Sequence, residues 1–85
     1  MPYIVYILEC NDKTYYTGCT NNLVRRLTAH NSNKDGAHYT KLRRPVVLKY
    51  KEQFSTLLLA RRREAQIKRW RKEKKKQLID LIPLT

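Results

Sequence analysis

Along the first ten residues, "MPYIVYILEC", apolar side chains fall on successive positions rather than alternate ones, and most are aromatic or β-branched. Both faces of a strand formed here are apolar, so the pattern predicts an inner strand covered on both sides. The turn formers Asn11 and Asp12 follow, and "TYYTG" then resumes as a second strand, which makes an antiparallel hairpin. Thr20, Asn21 and Asn22 offer N-caps for a helix whose Leu23 and Leu27 recur at i, i+4 and which ends near His30 and Asn31. From residue 31 to 44, "NSNKDGAHYTKLRR" is polar and aperiodic and reads as a loop, and "AHYTKLRRP", residues 37 to 45, is either a segment that folds over a substrate or simply solvated. "PVVLKYKEQF" alternates in part behind a proline, which suits an edge strand. Ser55 then caps a helix through the basic segment, broken or kinked near Arg71, with a last amphipathic turn "LIDLI" stopped by Pro83.

The order is therefore β-β-α-β-α(-α), an α+β fold in which a small three-stranded antiparallel sheet is flanked by helices. There is no internal repeat and no Gly/Ser/Pro linker, so residues 1–85 read as a single domain. A chain of this size has only just enough core, and any active site is expected at its surface.

Charge changes the picture. Nineteen lysines and arginines stand against seven acids, a net charge of +12, which is the footprint of a protein that meets a polyanion. Residues 61 to 76 hold ten of those cations and only Glu64 and Glu73 as acids. Arg25, Lys41, Arg43, Arg44, Arg61, Arg62, Lys68, Arg69, Lys72, Lys74 and Lys75 are the candidate nucleic-acid contacts, aimed at phosphates and so blind to sequence. A membrane partner is not expected, because the basic run carries only Ile67 and Trp70 as bulky apolar groups. No stretch reaches the roughly 18 apolar residues of a membrane span, and the N-terminus lacks a signal-peptide pattern; a cytoplasmic protein is expected. Cys10 and Cys19 are then reduced packing residues, and no His/Cys cluster points to zinc. Trp70, at i, i+3 from Ile67, is expected to pack rather than to stack on a base.

Glu64 asks for an explanation. On a helix it shares a stripe with Leu57, Ala60 and Ile67 that faces the sheet, and a carboxylate there is either paired with an arginine or a ligand for a hard divalent cation. Tyr6 and Tyr16 lie on adjacent strands, and Arg26 and His30 share one helical face. Phenols to hold or deprotonate a water, an arginine for developing phosphoryl charge and one carboxylate for a metal are the parts of a phosphodiester hydrolase. A phenol near cations is expected to lose its proton more readily than a free one.

The series "IVY", "YTG", "NNLVRRLTAH" and "RRREA" resembles the GIY-YIG endonuclease superfamily, in particular its short stand-alone members, over nearly the whole chain from Tyr3 to about Leu81. The resemblance implies that Tyr6 and Tyr16 bind the attacking water, with one of them as general base, and that Arg26 stabilises the transition state. It further implies that His30 sits near the scissile phosphate and that Glu64 holds the metal, Mg²⁺ or Mn²⁺. Gly18 and Asn31 fall on structural positions of the motif. Ile4 and Thr17 replace a Gly and an Ile of the two tripeptides, and Cys19 stands where several active members carry a lysine, which implies a slow enzyme or another base.

The implied function is a metal-dependent endonuclease on DNA, choosing branched, flapped or single-stranded substrates because no recognition domain accompanies it, with a role in DNA repair or recombination. Two readings compete. One is a DNA- or RNA-binding module that keeps the fold without turnover. The other is a subunit whose partner supplies specificity, docked through the apolar "LIDLIPL" tail.

Overall fold

The structure, a computed structural model, describes residues 2–32 and 43–82. Three antiparallel strands, β1 (Tyr3–Glu9), β2 (Tyr15–Thr20) and β3 (Val47–Phe54), form one sheet in the order β2-β1-β3. Helix α1 (Leu23–Asn31) joins β2 towards β3, and α2 (Leu57–Lys68) and α3 (Lys72–Leu81) follow β3. The all-apolar strand is indeed the inner one: Val5, Tyr6, Ile7 and Leu8 are buried on both sides of the sheet.

Alternation along β1 divides the core. Val5 and Ile7 face α2 and α3, packing with Tyr50, Ala60, Ile67 and the half-buried Tyr15, Trp70 and Ile79. Tyr6 and Leu8 face the other way, towards Cys10, Val46, Tyr16 and the α1 residues Leu23 and Leu27. In "TYYTG", Tyr15 and Tyr16 therefore lie on opposite faces.

Local chemistry sets the joints. In the β1–β2 turn Asp12 accepts from the Thr14 N–H at 3.1 Å and from the Thr14 hydroxyl at 2.6 Å, while Lys13 takes a left-handed φ of 70°. Asn22 is the α1 cap, accepting from Arg25 N at 3.1 Å. At the other end of α1 the Asn31 carboxamide pairs with Val46 twice, donating to its carbonyl at 3.1 Å and accepting from its N–H at 2.8 Å. That double bond anchors the start of β3 to the helix.

The second cap lies one residue later than the sequence predicts: Thr56, not Ser55, accepts from Leu59 N. The predicted break is present, and it separates two helices at Arg69–Arg71 instead of kinking one. Trp70 sits at this corner, half-buried, with the Arg63 guanidinium 5.2 Å and the Lys74 ammonium 4.4 Å from its ring centre. It packs against the core, as its spacing from Ile67 predicts, and the two cations over its ring are a feature the spacing does not predict. Leu57 departs from the predicted stripe at 44% exposure, because helical spacing sets which residues share a face but not how far the sheet extends beneath them. Among the described residues no helix is long and apolar enough to cross a membrane.

Candidate active site

Gly18 is where the site begins. It lies inside β2, not in a turn at its end, and pairs with Tyr6 across the β1–β2 register. A Cβ at Gly18 would stand 2.5 Å from Cζ of Tyr6 and clash with its hydroxyl oxygen as well. Only a residue without a side chain lets the Tyr6 ring lie across the neighbouring strand. Thus placed, the Tyr6 hydroxyl meets His30 Nε2 at 2.9 Å, in a buried hydrogen bond.

The helix register completes the group. His30, fully buried in the last turn of α1, packs edge-on against Tyr16 at 4.9 Å between ring centres and against Tyr6 at 5.9 Å. The two tyrosine rings lie 6.5 Å apart. Arg26, one turn before His30, hydrogen-bonds to Tyr6. An arginine can only donate, so it occupies a lone pair of the phenolic oxygen and leaves the Tyr6 proton available to the imidazole.

Protonation follows from burial. The Tyr6 phenol is pushed up to about 12, first by desolvation, with the Tyr16 and Glu64 charges adding and Arg26 offsetting part. Desolvation, and then the charge of Arg26, lowers the His30 imidazole to about 4, so it is neutral at pH 7. This corrects the expectation that nearby cations ease the loss of a proton from the phenol, as far as Tyr6 is concerned: burial outweighs them. Cys19, half-buried on the far face, has its thiol raised by desolvation and then by Glu64, so it supplies no charge in place of a lysine.

Glu64 lies on the buried face of α2 with Ala60 and Ile67. Its two oxygens are paired, Oε1 with Arg61 at 3.2 Å and Oε2 with Lys68 at 3.1 Å. It is coupled to Tyr6 and Cys19 through its charge. Among the described residues no group of three or more His, Cys, Asp or Glu side chains could hold a metal ion. A hydrated Mg²⁺, however, needs one or two carboxylates and takes its other oxygens from water and substrate phosphates. Arg61 and Lys68 are 61% and 53% exposed and can turn away from the carboxylate, so Glu64 fits that demand.

Beside Arg26 an open cleft of about 440 Å³ runs along α1, walled by Thr20, Asn22, Arg25, Arg26, Thr28 and Ser32. Nothing in the sequence singled out Thr28 and Ser32; small polar residues carry no signal until the helix is laid beside β2. Other predicted contacts are committed elsewhere. Arg43 pairs with Asp12 at 3.0 Å, and Arg44 donates to the carbonyl of His30 at 3.0 Å, tying the start of β3 to α1. Arg62 and Arg69 are exposed on α2 and at its end, Lys72 and Lys74 are exposed on α3, and Lys75 is half-buried there. Lys41 and most of the loop read as either folding over a substrate or solvated lie outside the described residues.

The chain that carries this arrangement is matched by a family model. The model for the GIY-YIG catalytic domain covers residues 2–77. The chain belongs to the GIY-YIG family. Among its GIY-YIG relatives, a UPF0213 protein of Syntrophus aciditrophicus is 54% identical over 79 residues, covering 93% of this chain and 91% of the other. The solution structure of a UPF0213 protein from Bacillus halodurans is 41% identical with a TM-score of 0.64, over 98% of this chain and 87% of that one. A solution structure from E. faecalis is similar at 36% identity and a TM-score of 0.66, over 95% and 85%. GIY-YIG domains are nuclease domains that act on nucleic acid and generally use divalent metals, and the UPF0213 proteins are a stand-alone GIY-YIG family.

Proposed function

We propose that this chain is a divalent-metal-dependent endonuclease that hydrolyses phosphodiester bonds of DNA, selects substrates by structure rather than sequence, and serves DNA repair or recombination. The observation that carries the reading is the packed group of Tyr6, Tyr16, His30 and Arg26 beside a polar cleft.

In this reading Arg25 and the hydroxyls of the cleft hold the strand by its backbone, and Arg26 meets the charge that develops on the scissile phosphate. Tyr6 keeps its proton at neutral pH, so it orients the attacking water by hydrogen bonding. Neutral His30 holds the Tyr6 hydroxyl in place through Nε2. Tyr16, half-buried beside both rings, is the tyrosine nearer solvent and takes the base role. Glu64 would hold Mg²⁺ or Mn²⁺, which when bound would supply Lewis-acid polarisation of a phosphoryl oxygen.

One observation favours a second reading. Both Glu64 oxygens are paired with cations, as they would be in a module that binds nucleic acid without cutting it. Cleavage assays separate the two: end-labelled single-stranded, duplex, flapped and four-way-junction DNA, with Mg²⁺ or Mn²⁺ and with EDTA, for wild type and Glu64→Ala. Products that need metal and vanish in the variant support the nuclease. Binding of every substrate by both proteins with no product overturns it in favour of the module.

A further inference from the structure

A second cleft, of about 220 Å³, opens between the start of β2 and α3, with Thr14 and Tyr15 on one wall and Lys72 and Lys75 on the other. It lies on the α2 and α3 face of the sheet, as Glu64 does, and opposite the tyrosine–histidine group, since Tyr15 faces α2 and α3 while Tyr16 faces α1. Its charges are of one sign. Lys75 is half-buried and has no acidic partner among the described residues; the charge it feels is that of another lysine, Lys68. Lys72 lies 5.9 Å over the Tyr15 ring, held by the aromatic face and not by a carboxylate. Of the nearby acids, Asp80 pairs with Lys76 and Asp12 with Arg43, each at 3.0 Å, while Glu9, opposite Tyr15 across the β1–β2 register, and Glu73, in the first turn of α3, leave some negative charge beside the cleft. Both lysines belong to the first turns of α3, where exposed N–H groups also favour an anion.

A half-buried ammonium among like charges is unfavourable in the empty protein, because desolvation and repulsion act together. A phosphate oxygen removes both penalties at once. We propose that the cleft between β2 and α3 binds a backbone phosphate of the nucleic acid, as a second contact on the face of the sheet opposite the tyrosine–histidine group.

This placement constrains the substrate. A strand that reaches both clefts has to pass around β2, the edge strand of the sheet, on a protein measuring only 30 × 29 × 26 Å. Duplex DNA has a persistence length of about 50 nm and does not turn such a corner without a kink. A single-stranded arm or a branch does. The occupant is therefore nucleic acid with a flexible or branched segment, and the second cleft is a physical source of structure selectivity. The inference rests on the nucleic-acid reading of the tyrosine face, but not on turnover there.

The test is binding, by fluorescence anisotropy over a salt series without metal, of a labelled forked DNA and of a blunt duplex. The proteins are wild type, Lys72→Gln/Lys75→Gln, and Lys49→Gln/Lys51→Gln, which removes the same charge from β3. For the forked DNA, the cleft variant is expected to show a salt slope shallower by about 0.7 to 0.9, the loss of one phosphate contact. Its duplex affinity is expected to stay close to that of the control. If the cleft and β3 variants weaken forked DNA equally, or if the cleft variant loses duplex and fork alike, the site is refuted. Failure of the nuclease reading shows separately, as absence of cleavage by a wild type that still binds forked DNA through the cleft.

Discussion

Tyr6 and Gly18 face one another across the β1–β2 pair, and the ring of the first occupies the space where a side chain of the second would stand. The glycine is therefore part of the site, though it carries no chemistry. Gly18→Ala is expected to lower stability by about 1 to 3 kcal/mol through overpacking, and to lower cleavage further by moving the Tyr6 hydroxyl from His30. Urea denaturation of Gly18→Ala in the wild-type and in the Tyr6→Val background checks the cause: with the ring gone, the added methyl group costs little beyond the loss of the ring itself. An unchanged single variant would mean that the ring has room to move.

His30 gives the stability a pH signature. Its folded pKa of about 4 lies below the ordinary 6.5, so the unfolded chain takes up a proton first as pH falls. Stability from this group is full above about pH 6.5, declines between 6.5 and 4, and changes no further below, with a total of at most about 3 kcal/mol. Thermal unfolding across that window should show the decline in wild type, and His30→Gln should flatten it. A parallel decline in both proteins would place the titrating group elsewhere.

Glu64→Ala is expected to abolish cleavage while DNA affinity holds or rises slightly, because one negative charge beside a polyanion is removed and Arg61 and Lys68 are released towards phosphate. Gel-shift titration beside the cleavage assay reads both quantities. A large loss of affinity would show that the carboxylate shapes the binding surface and holds no metal.

Asn31→Ala removes both side-chain bonds to Val46 and leaves the N–H of this buried residue, just before β3, without its acceptor, an expected loss of about 1 to 3 kcal/mol. Asn31→Asp keeps the acceptor and loses the donor, and should fall between. Equal losses in the two variants, by urea denaturation, would put the weight on the carbonyl side.

Much of this was legible in the residues themselves. The two-faced apolar run of β1, the turn formers after it and the break before Lys72 each come from local chemistry, and each appears where the pattern put it. Tyr6, Tyr16, Arg26 and His30 could be named because strand alternation and helical spacing fix which side chains share a face. What the pattern could not contain is depth. Whether a phenol is raised or lowered depends on how much water the surrounding fold excludes, and for Tyr6 exclusion outweighed the nearby cations. The pairing of Asn31 with Val46, and of Lys72 with the Tyr15 ring, joins residues far apart in the chain through geometry that no periodicity encodes.

Trp70, the chain's one tryptophan, stands at the corner between α2 and α3 with two cations over its ring. Its emission is thus a built-in optical gauge of that corner, separable from the six tyrosines by excitation at the red edge of their absorption. A phosphate that draws Lys74 off the indole changes the signal without touching the ring, so docking along α3 can be followed in unlabelled protein, in real time, and apart from any event at the tyrosines.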